Sequence, residues 1–173
     1  GQAGSAKKAE IDMSWREAPV EKRLEHALLK GITEAHNNAR FTVNPTPSTA
    51  IPPLAWSATV AAAAQSWAAN CQFMHSSNSS YGENIFADTG SANASAVVAD
   101  WVSEKSNYNY ANNSCAGTCG HYTQVVWRAS TELGCGVKSC TTGSPFGSFN
   151  GGRWQMWVCN YNPPGNFNNQ RPY

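Results

Sequence analysis

All six cysteines of this 173-residue chain fall after residue 70: Cys71, Cys115, Cys119, Cys135, Cys140 and Cys159. An even set of thiols in one polar stretch constrains the fold more than any other feature. Paired cysteines staple distant segments together and require an oxidising compartment. Free buried thiols are the bland alternative, and six of six is a poor match to it. A metal cluster is the other alternative. Cys115 and Cys119 have C-x3-C spacing and Cys135 and Cys140 have C-x4-C spacing, neither of which is the C-x2-C knuckle of a zinc ribbon. Spacing alone leaves every pairing open.

Charge is placed unevenly. Residues 1–30 hold six Lys/Arg and five Asp/Glu, whereas residues 31–173 hold only six of each. The first stretch reads as a charged extension able to form an exposed helix. The second is kept in solution by Asn, Ser, Thr and Gly. The boundary falls between Ala18 and Gly31, giving an extension over residues 1–23 and one domain over residues 24–173. The formal net charge of +1 offers no electrostatic footprint for nucleic acid. The longest Ala/Val run, Val60 to Ala64, is far too short to span a bilayer. Neither nucleic acid nor stable membrane insertion is therefore expected, and the chain reads as a monomer. The opening GQAGSAKK reads as a mature or engineered terminus. Sequons at Asn78, Asn93 and Asn112 are compatible with secretion.

Periodicity places helices early. Leu24, Leu28, Ile32, Ala35 and Ala39 form a stripe over Pro19 to Arg40, with Gly31 a candidate break. The four prolines within NPTPSTAIPP impose a loop. Ser57 suits an N-cap for a helix to Asn70, with Val60, Ala64, Trp67 and Cys71 inward. A third helix covers Ala94 to Ser106, with Val97, Val98, Trp101 and Val102 inward. HSSNSSYGEN and NYNYANNSCAGTCG read as loops, and His121 to Trp127 as a short helical or extended piece. GCGVKSC and RWQMWVCNY alternate like strands, joined through CTTGSPFGSFNGG. Helices first and strands late imply an α+β layered domain over an antiparallel sheet.

The stretches AHNNAR, YGEN, GHYTQVVW and CNYNPPGN, in that order, resemble the CAP superfamily of cysteine-rich secretory proteins, antigen 5 and pathogenesis-related protein 1. VSEKSNYNY, CGHYTQVVWR and the closing QRPY look closest to the plant-type pathogenesis-related protein 1 branch. The resemblance covers Leu24 to Tyr173. It implies an α-β-α sandwich with a central antiparallel sheet, and the pairings Cys71–Cys140, Cys115–Cys119 and Cys135–Cys159. Two departures stand out: the CAGTC loop is shorter than in many plant members, and the charged segment before Leu24 has no counterpart.

The same resemblance points to a site. His75, His121, Glu83 and Glu104 match the two histidines and two acids of the family's cleft. Imidazole nitrogens and carboxylate oxygens suit a divalent ion such as Zn or Mg, the histidines binding directly and the glutamates holding water or orienting the rings. The alternative is a His–Glu network that ties helices to the sheet without an ion. His36 reads as a packing residue and His26 as a solvated one. No G-x-S-x-G or HExxH pattern is present, so a non-enzyme is expected, with a metal-dependent hydrolase as the rival. The family resemblance further implies a secreted, defence- or host-interaction-related protein that binds sterols or related small hydrophobic ligands. Its lipid loop would be Asn107 to Asn113, where Tyr108 and Tyr110 could clasp a flat ring system or pack on the domain edge. An extracellular interaction scaffold is the third reading. In plant relatives the tail corresponding to Pro163 to Tyr173 resembles a releasable signalling peptide.

Overall fold

The computed structural model describes residues 25–78 and 80–173; the expected extension over residues 1–23 lies outside them. Residues 25–28 are helical, and the chain then turns at Gly31, whose φ of 86° ends that turn before a new helix begins. Glu25 is buried, and its carboxylate accepts the amide of Ser139 at 3.0 Å.

Helix α1 (Ile32–Phe41) buries Ile32, His36 and Arg40, one residue per turn. This face is more polar than the aliphatic stripe predicts. Strand β1 (Ala55–Trp56) leads into helix α2 (Ala58–Ala68), capped by Ser57 Oγ, which accepts the Val60 amide. Strand β2 spans Gly82–Asp88, and helix α3 spans Ala94–Ser103 with Asn93 as its cap. A 3-10 turn over Glu104–Asn107 follows. Strands β3 (Tyr108–Asn109) and β4 (Ser114–Cys115) form a small ribbon. Helix α4 (Gly120–Val125) settles the helical-or-extended choice for that segment. Strands β5 (Glu132–Cys140) and β6 (Trp154–Asn162) form the expected late hairpin.

The main sheet has the order β1-β5-β6-β2. It is mixed, which corrects the expectation of an antiparallel sheet: β1 pairs parallel with β5. The cause is the β1–α2 connection. The helix leaves β1 directly and runs along β5 in the same direction, so β1 enters alongside β5. Two loop assignments are corrected as well. Gly82, Glu83 and Asn84 open strand β2, and Tyr108 to Cys115 holds the β3–β4 ribbon. Strand β2 escapes a two-fold pattern because both its faces are covered and apolar Ile85 and Phe86 stand side by side.

Three layers result. One face of the sheet packs Ile85, Met156 and Val158 against Ala64 and Ala68 of α2. The other packs Trp157, Cys159 and Tyr161 with Val97, Val98 and Trp101 of α3, together with residues of α1 and α4. Helix α2 lies almost directly on β5 because Gly134 and Gly136 face it. A Cβ at Gly134 would stand 2.0 Å from the Ala61 backbone nitrogen, and one at Gly136 2.5 Å from Gln65 Cα. The disulfides are Cys71–Cys140, Cys115–Cys119 and Cys135–Cys159, and none of the described cysteines is free.

Candidate functional site: two His–Glu pairs at the edge strand

The four predicted site residues come together as two pairs. His75 follows α2 on a loop; its Nδ1 lies 2.8 Å from Glu83 Oε1, which also accepts the Ser76 amide at 2.9 Å. The imidazole is 62% exposed while the carboxylate is only 9% exposed, so the ring is presented to solvent from a buried anchor. His121 lies in the first turn of α4. Its Nδ1 lies 2.6 Å from Glu104 Oε2, and Glu104 Oε1 accepts the amides of His121 and Tyr122. Glu104 thus closes the start of α4, where the local N-cap residue Cys119 supplies no side-chain acceptor. The His121 ring lies nearly parallel to Trp101, 6.3 Å between centroids.

Strand β2 separates the pairs. Alternation sends Glu83 to the α2 face with Ile85, and Asn84 to the opposite face. Asn84 donates to the His121 carbonyl at 3.1 Å and to the Tyr161 hydroxyl at 3.2 Å. Sequence reasoning overlooked Asn84, although it stands within YGEN beside Glu83; strand alternation carries the signal that separates their roles. In both pairs Nδ1 faces a carboxylate, so it is the donor, and Nε2 bonds to no described residue. Among the described residues no group of three or more His, Cys, Asp and Glu side chains could hold one metal ion.

Beneath the site lies a buried polar chain. His36 is fully buried, with Nδ1 donating to Ile32 O and Nε2 accepting from the Tyr161 hydroxyl, each at 2.7 Å. Burial lowers the His36 pKa to about 4, with Arg40 adding to the shift and the Ile32 bond opposing it. Burial pushes the Tyr161 phenol upward. His36 therefore packs as expected. His26 is exposed and lines a cavity beside Trp56. Arg40, by contrast, was legible only as a charge. It is buried with no carboxylate bonded to it; its guanidinium donates to the carbonyls of Pro52, Val125, Trp127 and Ser130. Burial lowers its pKa to about 10, which leaves it charged at neutral pH.

The lipid-loop tyrosines have separate settings. Tyr108 donates to Asn113 Oδ1. Tyr110 stacks on Tyr173 at 4.7 Å, its hydroxyl donates to the Tyr173 carbonyl, and Arg171 lies over its ring. The C-terminal segment closes back on the domain: Arg171 donates to the carbonyls of Tyr110 and Ala111, and Arg128 N to Pro172 O.

The family profile described as "CAP: Cysteine-rich secretory protein family" matches residues 33–161. The chain belongs to the CAP family. Among CAP relatives, a "Pathogenesis-related protein 1" of Arabidopsis thaliana is 44% identical over 142 residues, covering 80% of this chain and 78% of its own length. The "Pathogenesis-related leaf protein 4" of Solanum lycopersicum is 41% identical over 144 residues, covering 80% and 79%. The structure of Schistosoma mansoni venom allergen-like protein 4 superposes with a TM-score of 0.61 at 27% identity, covering 87% of this chain and 92% of that one. NaASP2, whose crystal structure was solved with Zn2+, has the same CAP fold, with a TM-score of 0.59 at 22% identity over 86% and 84% of the two chains.

Proposed function

We propose that this chain is a secreted, defence-related CAP protein that binds a sterol or similar small hydrophobic molecule. One observation carries the ligand class. A cavity of about 650 Å³ beside α1 has walls of Ala27, Leu29, Ile32 and Trp56, with the polar groups of His26, Lys30, Thr33 and Glu34 also lining it. Its volume lies within the range of small-molecule sites, and its aliphatic and indole walls suit a flat apolar body. Neither Tyr108 nor Tyr110 lines it, and Tyr110 is already engaged by the tail. The kinship to pathogenesis-related proteins supports the secreted and defence-related parts of the reading, as do three disulfides formed from six cysteines.

The His–Glu pairs supply a weak, open site for a divalent ion. The donor chemistry fits: His75 and His121 each offer Nε2, with a carboxylate fixing the ring from Nδ1. Each pair would contribute one imidazole, water would supply the other ligands, and zinc suits imidazole better than magnesium. The zinc in the NaASP2 structure supports this reading. A bound ion would supply Lewis acidity, while the role of this chain's own residues is orientation. Three donors occupy the Glu104 oxygens and two share Glu83 Oε1, so each carboxylate anchors its histidine ring.

A titration with a fluorescent sterol, with and without chelator, tests the reading. Saturable binding that weakens at least about tenfold in Trp56→Ala is expected. Absence of sterol binding together with chelator-sensitive peptide cleavage would overturn it in favour of a hydrolase.

A further inference from the structure

We propose that the C-terminal turn over residues 167–170 and the β3–β4 ribbon form a second binding site, for a neutral saccharide. A cavity of about 280 Å³ lies between them, away from the sterol cavity beside Trp56. No Asp, Glu, Lys or Arg lines it. Its side-chain donors and acceptors are carboxamides and hydroxyls, and its apolar surface comes from aromatic rings and the Cys115–Cys119 disulfide.

The carboxamides divide into two groups. Those of Asn113 and Asn166 are engaged internally. Asn113 accepts from Tyr108, while Asn166 accepts from Thr123 Oγ1 at 2.6 Å and donates to Gly120 O at 2.8 Å. Those of Asn168, Asn169 and Gln170 bond to no described residue and remain exposed. A left-handed backbone explains Asn113, Asn166 and Asn169, with φ of 52°, 59° and 64°. It does not explain Asn168 or Gln170, whose backbones make no such demand. Phe167 is 54% exposed and leans on Trp127 at 6.3 Å, leaving part of its ring open.

The turn carrying these groups is held from both ends. Before it, Gly165 N donates to Gln124 Oε1 and Asn166 is bonded to α4. After it, Arg171 grips the carbonyls of Tyr110 and Ala111, and Pro172 O receives Arg128 N. Within it, Gln170 N donates to Phe167 O at 3.2 Å. Three free planar amides and a free ring face are thus presented on a pinned support, which lowers the ordering cost of binding.

That combination matches sugar chemistry. Each carboxamide offers a donor and an acceptor in one plane, and vicinal hydroxyls require both. The C–H face of a pyranose is apolar and covers an aromatic ring. A charged ligand would find no counter-ion here, and a sterol would leave the amides unpaired.

The test is a 15N NMR titration of the full chain with two probes, chitotetraose and laminaritetraose, to millimolar concentration. Saturable shifts of the Asn168, Asn169 and Gln170 side-chain amides with at least one probe are expected. Binding should weaken about tenfold or more in Phe167→Ala and in the Asn168→Ala/Gln170→Ala double variant. It should persist in chelator and high salt, since neither a metal nor a charge takes part. Both variants alter exposed side chains, and unchanged sterol binding would confirm their fold and separate the two sites. If neither probe shifts these amides, if both variants bind as well as the parent, or if chelator abolishes binding, the proposal is wrong.

Discussion

Acidification should destabilise this protein through one residue, His36. The ring is fully buried and its pKa falls from 6.5 to about 4. The neutral ring is the form the fold accepts: Nδ1 donates to Ile32 O, and Nε2 must keep its lone pair for the Tyr161 hydroxyl. Because the folded value lies below the unfolded one, the unfolded chain binds the extra proton. Stability is complete above pH 6.5 and is lost as pH falls towards about 4. At 1.36 kcal/mol per pKa unit, the lowering amounts to ~3 kcal/mol, a large share of a small domain's stability. Urea denaturation of the parent and of His36→Gln across this pH window isolates the effect. The variant is less stable at neutral pH because it loses ring hydrogen bonds, and its deficit should shrink by ~3 kcal/mol on acidification. Parallel pH curves for the two proteins would refute the reasoning.

Gly134→Ala should lower stability by ~1–3 kcal/mol in thermal denaturation, because the new methyl meets the α2 backbone, which cannot swing aside like a side chain. Replacing both Cys71 and Cys140 with serine opens a loop with a sequence separation of 69 and should cost ~2–4 kcal/mol by the same measurement. Glu104→Gln leaves His121 without its ionised partner and weakens the closure of α4. It should cost ~1–2 kcal/mol of stability and reduce calorimetric zinc affinity about tenfold. A variant with unchanged zinc affinity would show that His121 needs no carboxylate behind it.

The helices with one buried face, and the strands rich in β-branched and aromatic residues, were legible in the sequence. Helix α2 announced itself through Ser57 and its small inward residues, α3 through Val97, Val98 and Trp101, and the β5–β6 hairpin through alternation. Strand β2 was hidden because it opens with the polar, turn-like residues Gly82, Glu83 and Asn84 after a Ser/Asn-rich run, and β1 because two residues carry no period. The disulfide pattern was beyond spacing and came from kinship alone. At the candidate site, the family resemblance pointed to His75, Glu83, Glu104 and His121, but not to their division into two pairs across β2. That division depends on strand register, which is invisible while YGEN reads as loop. Arg40 was hidden for a different reason: an arginine satisfied by backbone carbonyls leaves no acidic partner in the sequence to betray it.

Asn84 holds a core phenol and the peptide carbonyl of His121 with one amide group. The NH2 group is a single rigid fork, so its two grips cannot be adjusted independently. Any event that rotates the peptide at His121 must therefore be absorbed by Tyr161 and, one hydrogen bond further, by His36. The buried phenol on β6 is in this sense a listening post for the protein's wet edge, and its ultraviolet absorbance is the natural place to hear what happens there.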